Sequence, residues 1–382
     1  MIEWFNNDAA LRLWLSDLLR ADFLRLRRGM VEAPFAPWAN SLEMGERGLG
    51  ADSIERVELA STLFQAINAE ASGELDDARM DVHFGSWLAL AQRSLARHST
   101  TLTFFTSGSS AAPQAISHQA ADLSHEVEWF ARHLFGSRKR ILLAVPSQHI
   151  YGFLFGVLLP TKLNCTTLSL TTQPPQAALA LAQPGDLIVA QPLWWDQALR
   201  GQARFAQDVL GLTSTMRAPD ALFAHLRERG LAGLIDIYGS TETGGIGWRE
   251  AAGAYRLLDW LTQVPNNAPD QIEMLDARTF VLGARADRVV QVAGVNVSLD
   301  QVERVLARFA GVETARVRLS QSEPRRLKAL LVGTLVDSTR TRSALETHAL
   351  ESLDAAARPR HLSFARHLPR NEHGKECDWN EV

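Results

Sequence analysis

Asp236-Ile237-Tyr238-Gly239-Ser240-Thr241-Glu242-Thr243-Gly244-Gly245 is the stretch on which the reading of this 382-residue chain turns. An apolar strand end runs into small and hydroxylated residues that carry a single carboxylate. Glycine tolerates positive φ and adds no bulk, so backbone and hydroxyl groups here can approach a flat, polar ligand closely. Glu242 is then the natural ligand for magnesium, because a hard cation shared with nucleotide phosphates seeks carboxylate oxygen. Alone, the stretch reads equally well as a plain strand-to-loop turn.

Three further stretches change that balance: Thr106-Ser107-Gly108-Ser109-Ser110-Ala111-Ala112-Pro113, Arg285-Ala286-Asp287, and Leu368-Pro369-Arg370-Asn371-Glu372-His373-Gly374-Lys375. With Tyr238 to Gly245, and in this order, they make residues 99–382 resemble the adenylate-forming superfamily of acyl-CoA and aryl-CoA synthetases and peptide-synthetase adenylation domains. The resemblance implies use of ATP and Mg2+ and gives each stretch a role. Thr106, Ser107, Gly108, Ser109 and Ser110 form a phosphate loop, whose small residues offer N–H groups and hydroxyls to phosphate oxygens. Tyr238, Gly239 and Ser240 hold the nucleotide, Thr241 and Glu242 belong to the catalytic set, and Asp287 is the hinge of a mobile lid. Lys375 would bridge carboxylate and α-phosphate as the bond forms. His149, Ser214 and Gly244 line the acid pocket.

The sequence also departs from the pattern. The phosphate loop continues Pro113-Gln114-Ala115 where the family usually has Pro-Lys-Gly, which removes a charge. The Thr-Gly-Asp triplet whose aspartate holds the ribose is absent. Asp270, at the family's spacing ahead of Arg285, is the best substitute, with Asp259 and Asp276 as rivals. Arg285 would back the ribose or phosphate. His149 could equally be a helix-start histidine packed for structural reasons.

Composition is that of an ordinary soluble globular chain, with 46% hydrophobic residues and a net charge of −4. The charge gives no case for nucleic acid or a membrane surface, and no apolar run reaches the length of a membrane span. A cytoplasmic location is expected. Cys165 and Cys377 match no metal-ligand spacing and read as reduced thiols. Trp194, Trp195 and Trp248 read as core or pocket walls.

The first 98 residues hold ten arginines and no lysine against fifteen carboxylates. Apolar spacing predicts an amphipathic helix over 9–28, closed by Ala33-Pro34-Phe35-Ala36-Pro37. A second helix follows, capped by Asp52 or Ser53, with Ile54, Val57, Leu59 and Leu63 as its apolar face. A serine at the start of an acidic helix resembles acyl carrier proteins, which implies a phosphopantetheine arm on Ser53. The alternative is that Ser53 merely caps a helical domain. From Ser99 short apolar runs alternate with helical stretches, as in α/β units, and from Val289 the pattern is that of a small α+β lid.

The expected fold class is therefore α/β: a truncated adenylate-forming large lobe (99–284) plus a small α+β C-terminal lid (285–382), preceded by an all-α carrier-like helical domain (1–98). The expected function is ATP-dependent activation of an aryl or acyl carboxylic acid as its adenylate. The acyl group then passes to a phosphopantetheine thiol of a carrier protein or to coenzyme A. The alternative is a catalytically impaired nucleotide-binding or carrier scaffold in a biosynthetic complex.

Overall fold

The structure is a computed structural model that describes residues 3–27, 31–73, 82–106, 114–201, 204–268, 270–285, 288–320, 325–335, 337–369 and 379. It divides into two compact units. One comprises Met1–Thr106, Ala115–Ala268 and Ile272–Leu282; the other is built mainly from Gly283–Val382.

The first unit begins with helices α1 (Asp8–Leu26), α2 (Ser53–Ala66), α3 (Ala69–Ser72) and α4 (Phe84–Arg97). Asn7 caps α1 through the N–H groups of Ala9 and Ala10, and Asp52 caps α2 in a reciprocal capping box with Glu55. Ser53 is thus the first helical residue of α2 rather than its cap. Leu59 and Leu63 are fully buried as the spacing predicts, but Ile54 and Val57 are 73% and 69% exposed. Their side of the helix faces solvent, while the side carrying Leu59 and Leu63 is buried.

Strands β1 (Thr101–Phe105) and β2 (Ala115–Gln119) form a separate antiparallel ribbon, so the phosphate-loop stretch leaves one strand and returns along its neighbour. Helix α5 (Ala120–Phe130) follows directly and ends in a wider i→i+5 turn, Ala131–Phe135. The main sheet then takes in β3 (Arg140–Leu143), β4 (Thr166–Ser169), β5 (Asp186–Ala190), β6 (Leu210–Thr213), β7 (Gly233–Ser240), β8 (Gly244–Arg249), β9 (Tyr255–Leu257), β10 (Asp270–Met274) and β11 (Thr279–Arg285). Its strand order is β10-β11-β9-β8-β7-β6-β5-β3-β4. The pairs from β4 to β7 are parallel, whereas β8 and β9 return as antiparallel strands. β5 is buried along its whole length, as a strand covered on both faces must be.

The largest of the hydrophobic clusters in the first unit runs from Trp4, Trp14 and Leu18 to Phe104, Phe153, Ile235 and Leu258. Trp4 and Phe104 both meet Phe153 edge-on, at centroid separations of 4.9 and 5.3 Å. The helices over 1–98, expected to stand as a domain of their own, share this core. Tryptophans and leucines on α1 and α4 bury their faces against the strand-bearing part of the chain.

The second unit has its own core around Val292, Val302, Val317, Leu331 and Leu345. A hairpin of β12 (Val289–Val292) and β13 (Val295–Ser298) leads into the helix Leu299–Leu306. Strands β14 (Val312–Leu319), β15 (Leu327–Gly333) and β16 (His361–Ala365) form the three-stranded sheet. This matches the α+β pattern read from Val289 onward. Among the described residues no helix is long and apolar enough to cross a membrane. Cys165 is a free thiol whose pKa burial pushes up to about 11, and Cys377 lies outside the described residues.

Candidate active site

In an open sheet with parallel strands, ligands bind beyond the carboxyl ends of the strands, where the strand order reverses. Here the chain passes from β3 outward to β4 and then returns to β5 on the other side of β3, so the crevice opens beyond β3 and β5. His149 and the helix that begins at Ile150 stand at this point. The Tyr151 hydroxyl donates to the carbonyls of Ala190 and Leu212 at 3.2 and 2.9 Å, tying the helix start to the ends of β5 and β6. Burial of the His149 ring holds its pKa below the ordinary value, which favours neutral imidazole.

The loop before His149 is held from the N-terminal helices. Asp17 on α1 is buried and accepts from both the N–H and the hydroxyl of Ser147, at 2.8 and 2.7 Å. Burial raises the Asp17 pKa, against the lowering effect of those two bonds. Nothing in local spacing marks Asp17, because the residue it organises lies 130 positions away.

Ser214 follows β6 and donates from its hydroxyl to the carbonyl of Ile237 at 2.8 Å, which sets it against the strand carrying Tyr238. The next residue, Thr215, has φ of 76°, a left-handed conformation that costs a β-branched side chain. Arg249 clamps this turn to the hairpin of β7 and β8. It donates to the Ala218 carbonyl, to Asp236 at 2.9 Å and to Asp220 at 2.7 Å. Asp236 also accepts from the Tyr255 hydroxyl at 2.6 Å. Both Arg249 and Asp236 are buried.

Tyr238, Gly239 and Ser240 end β7, Thr241 and Glu242 form the turn, and Gly244 opens β8 with φ of 68°. The register slips between Tyr238 and Gly239, and a side chain at Gly239 would lie 2.2 Å from the Gly244 carbonyl oxygen. Only glycine allows that approach. Thr243 Oγ1 accepts from the Ser240 N–H at 3.1 Å, and His118 on β2 meets the Thr241 carbonyl at 2.6 Å. Glu242 stands exposed at the tip. Behind the turn, Glu126 on α5 is buried, its Oε2 accepting from the Gly245 N–H at 3.2 Å. Burial pushes its carboxyl up to about 7. Sequence reading gave Glu126 no role; one carboxylate in a helical stretch carries no signal of burial.

His149, Ser214 and the Tyr238–Gly244 segment thus belong to one unit and cluster about the carboxyl ends of β3, β5, β6 and β7. Thr106 directly follows β1, whereas Ser107, Gly108, Ser109, Ser110, Asp287 and Lys375 lie outside the described residues. So does the side chain of Arg285 at the end of β11. Asp270 opens β10. Its two rivals are occupied locally: Asp259 accepts from the Trp129 indole, and Asp276 accepts from the N–H groups of Arg278 and Thr279. Among the described residues no group of three or more His, Cys, Asp or Glu is placed to hold a metal ion. A lone exposed carboxylate such as Glu242 fits magnesium that arrives on a nucleotide, since that ion takes one or two protein carboxylates and fills its shell with phosphate and water.

The family model for "AMP-binding enzyme" matches residues 46–269, a span that takes in α2 and all of β1 to β9. The 4-coumarate–CoA ligase of Rhodobacter capsulatus is 34% identical, covering 97% of this chain and 100% of the relative. That of Halorhodospira halophila is also 34% identical, over 98% of this chain and 100% of the relative. The shortened region ahead of the phosphate loop is therefore shared with both. Among solved structures, an amide bond synthetase from Marinactinospora thermotolerans has the same fold, with a TM-score of 0.58 at 16% identity over 95% of this chain and 92% of its own. The o-succinylbenzoate CoA synthetase of Bacillus subtilis matches with a TM-score of 0.56 at 18% identity, over 72% and 67%. The motif order, the crevice at the strand reversal and these full-length matches agree, and the chain belongs to the AMP-binding enzymes of the adenylate-forming superfamily as an AMP-forming ligase.

Proposed function

We infer that the protein activates an aryl carboxylic acid of the 4-coumarate class with ATP and passes the acyl group to the thiol of coenzyme A. The observation that carries this reading is the convergence of His149, Ser214 and the Tyr238–Gly244 segment at the strand reversal. Matches over the whole length of two 4-coumarate–CoA ligases support the choice of acid and thiol.

In the first half-reaction an acid carboxylate oxygen attacks the α-phosphorus of ATP, and the bond to the departing pyrophosphate breaks. Thr106, Ser107, Gly108, Ser109 and Ser110 cradle the phosphates. Tyr238, Gly239 and Ser240 hold the nucleotide, Asp270 holds its ribose, Arg285 backs the ribose or phosphate, and Thr241 belongs with Glu242 to the catalytic set. Glu242 holds the magnesium that neutralises phosphate charge. Lys375 stabilises charge on the oxygens while the new bond forms. In the second half-reaction the lid turns at Asp287, Lys375 withdraws, and the thiol attacks the acyl carbonyl and expels AMP. His149, Ser214 and Gly244 line the acid pocket throughout.

Acid-dependent pyrophosphate exchange across a panel of aryl and fatty acids tests the reading, and exchange with none of them would overturn it. Lys375→Ala should lower adenylation about a hundredfold or more while sparing thioester formation from preformed acyl-adenylate. Equal loss of both steps would remove Lys375 from the role given to it.

A carrier arm on Ser53 is the second acceptor to test, since Ser53, Ile54 and Val57 are exposed on the first turns of α2. Incubation with coenzyme A and a phosphopantetheinyl transferase should then add one arm per chain, lost in Ser53→Ala. An intact-mass spectrum without the arm, under conditions that modify a control carrier protein, leaves coenzyme A as the acceptor.

A further inference from the structure

Lysine is scarce in this chain, and one of its four, Lys328, sits in the interior of the second unit. It stands on β15 with only 3% of its surface exposed, and its register partner on β14 is Arg318. Like charges directly opposite each other on neighbouring strands are destabilising. A buried ammonium also needs acceptors in place of the water it has given up. Trp379 answers both demands. The centre of its ring lies 5.2 Å from Lys328 Nζ and 5.3 Å from the guanidinium carbon of Arg318, and its carbonyl accepts from Lys328 Nζ at 2.8 Å. Indole attracts cations more strongly than the other aromatic side chains do.

What gives this clamp a consequence is its place in the chain: Trp379 follows Lys375 by four residues. Four residues of chain reach at most about 14 Å, so fixing Trp379 tethers the lysine's backbone within that radius. On the other side of Lys375 the chain leaves β16, which pairs with β15 from Lys328↔His361 to Val332↔Ala365. The chain that carries Lys375 is therefore attached to one three-stranded sheet both before and after the lysine. A loop fixed at both ends samples far fewer conformations than an arm fixed at one.

We propose that Trp379 is a positioning residue for the adenylation step: held by Lys328 and Arg318, it anchors the segment that presents Lys375 to the forming acyl–phosphate bond. The proposal rests on the reading of Lys375 as the group that stabilises charge in the first half-reaction. Placement matters there, because a shift of about 1 Å in a group that acts on the reacting atoms can cost about a hundredfold in rate. In the second half-reaction Lys375 is withdrawn, so that step does not depend on the anchor.

The test measures the two half-reactions separately on the full chain: acid-dependent pyrophosphate exchange for the first, and thioester formation from preformed acyl-adenylate and coenzyme A for the second. Trp379→Ala should lower exchange about tenfold or more and leave thioester formation within about twofold of the wild type. Trp379→Phe, which keeps an aromatic face for the two cations, should recover most of the loss. Added to Lys375→Ala, Trp379→Ala should lower exchange no further, since a residue that acts only through the lysine then has nothing left to position. Equal loss in both half-reactions, or a further loss in the double variant, overturns the proposal and makes the clamp a feature of sheet stability alone. Should Trp379→Ala fail to fold, Trp379→Leu, which keeps apolar bulk without the π face, takes its place. Exchange lost in Lys375→Ala but undiminished in Trp379→Ala overturns the proposal and leaves the role of the lysine standing. Exchange undiminished in Lys375→Ala overturns both.

Discussion

Glu126 is a carboxylate whose surroundings depart far from those it has in water. Because burial raises its carboxyl to about 7, the folded protein keeps a proton there at pH values where the unfolded chain, titrating near 4.5, has released it. The unfolded state then binds fewer protons, so this group's contribution to stability falls as pH rises from about 4.5 to about 7 and levels off above that. Glutamine at the same place does not ionise. Glu126→Gln should therefore gain on the wild type by about 3 kcal/mol between pH 4.5 and pH 7.5, as read from denaturant midpoints at several pH values. A constant difference across that range would show that the carboxyl does not hold its proton. Asp17 is desolvated as well, but there the two bonds from Ser147 oppose the rise.

Among the elements, the hairpin of β7 and β8 carries an interlocked set of polar contacts. Arg249 on β8 reaches Asp236 on β7, Asp220 at the start of the helix between β6 and β7 (Asp220–Glu228) and the carbonyls of Ala218 and Gly253, and it stacks on Tyr255 with its guanidinium 4.7 Å from the ring centre. The hairpin and the 214–219 turn are held as one piece by this residue. Breaking such a buried pair by removing one partner leaves an uncompensated charge. Arg249→Met should cost about 3–5 kcal/mol in chemical denaturation, and the double change Arg249→Met with Asp236→Leu should restore part of that loss. If the single variant unfolds at the wild-type midpoint, the clamp contributes nothing and the turn is held by its backbone alone.

At the scale of the whole molecule, α1 and α4 are part of the large unit rather than an addition to it. Trp4 and Trp14 close over Phe153, at 4.9 and 6.1 Å between ring centres, and Asp17 fixes the loop that precedes His149. A chain of residues 99–382 would expose those aromatic faces and leave Ser147 without its buried partner. It should show no cooperative thermal transition for the large unit and no acid-dependent pyrophosphate exchange. A truncated chain that melts cooperatively and still activates an acid would establish residues 1–98 as a dispensable domain.

The sequence by itself determined the local elements. Tyr238 to Gly245 reads as a tight, small-residue turn with one carboxylate because glycine positions and a lone glutamate are properties of neighbours in the chain. The strands at 102–105, 140–146 and 187–190 and the helices at 9–28 and 118–135 were legible for the same reason: periodicity is local. Which faces those helices spend, and on what, was not. An acidic stretch with a serine at a helix start looks the same whether its leucines and tryptophans close a small domain or cover Phe153 of another, and only the tertiary structure showed the shared core. The antiparallel ribbon of β1 and β2, the Asp17–Ser147 bond and the carboxyl of Glu126 beneath Gly245 likewise join residues far apart in the chain, and for such pairs burial, which no spacing records, sets both the geometry and the pKa.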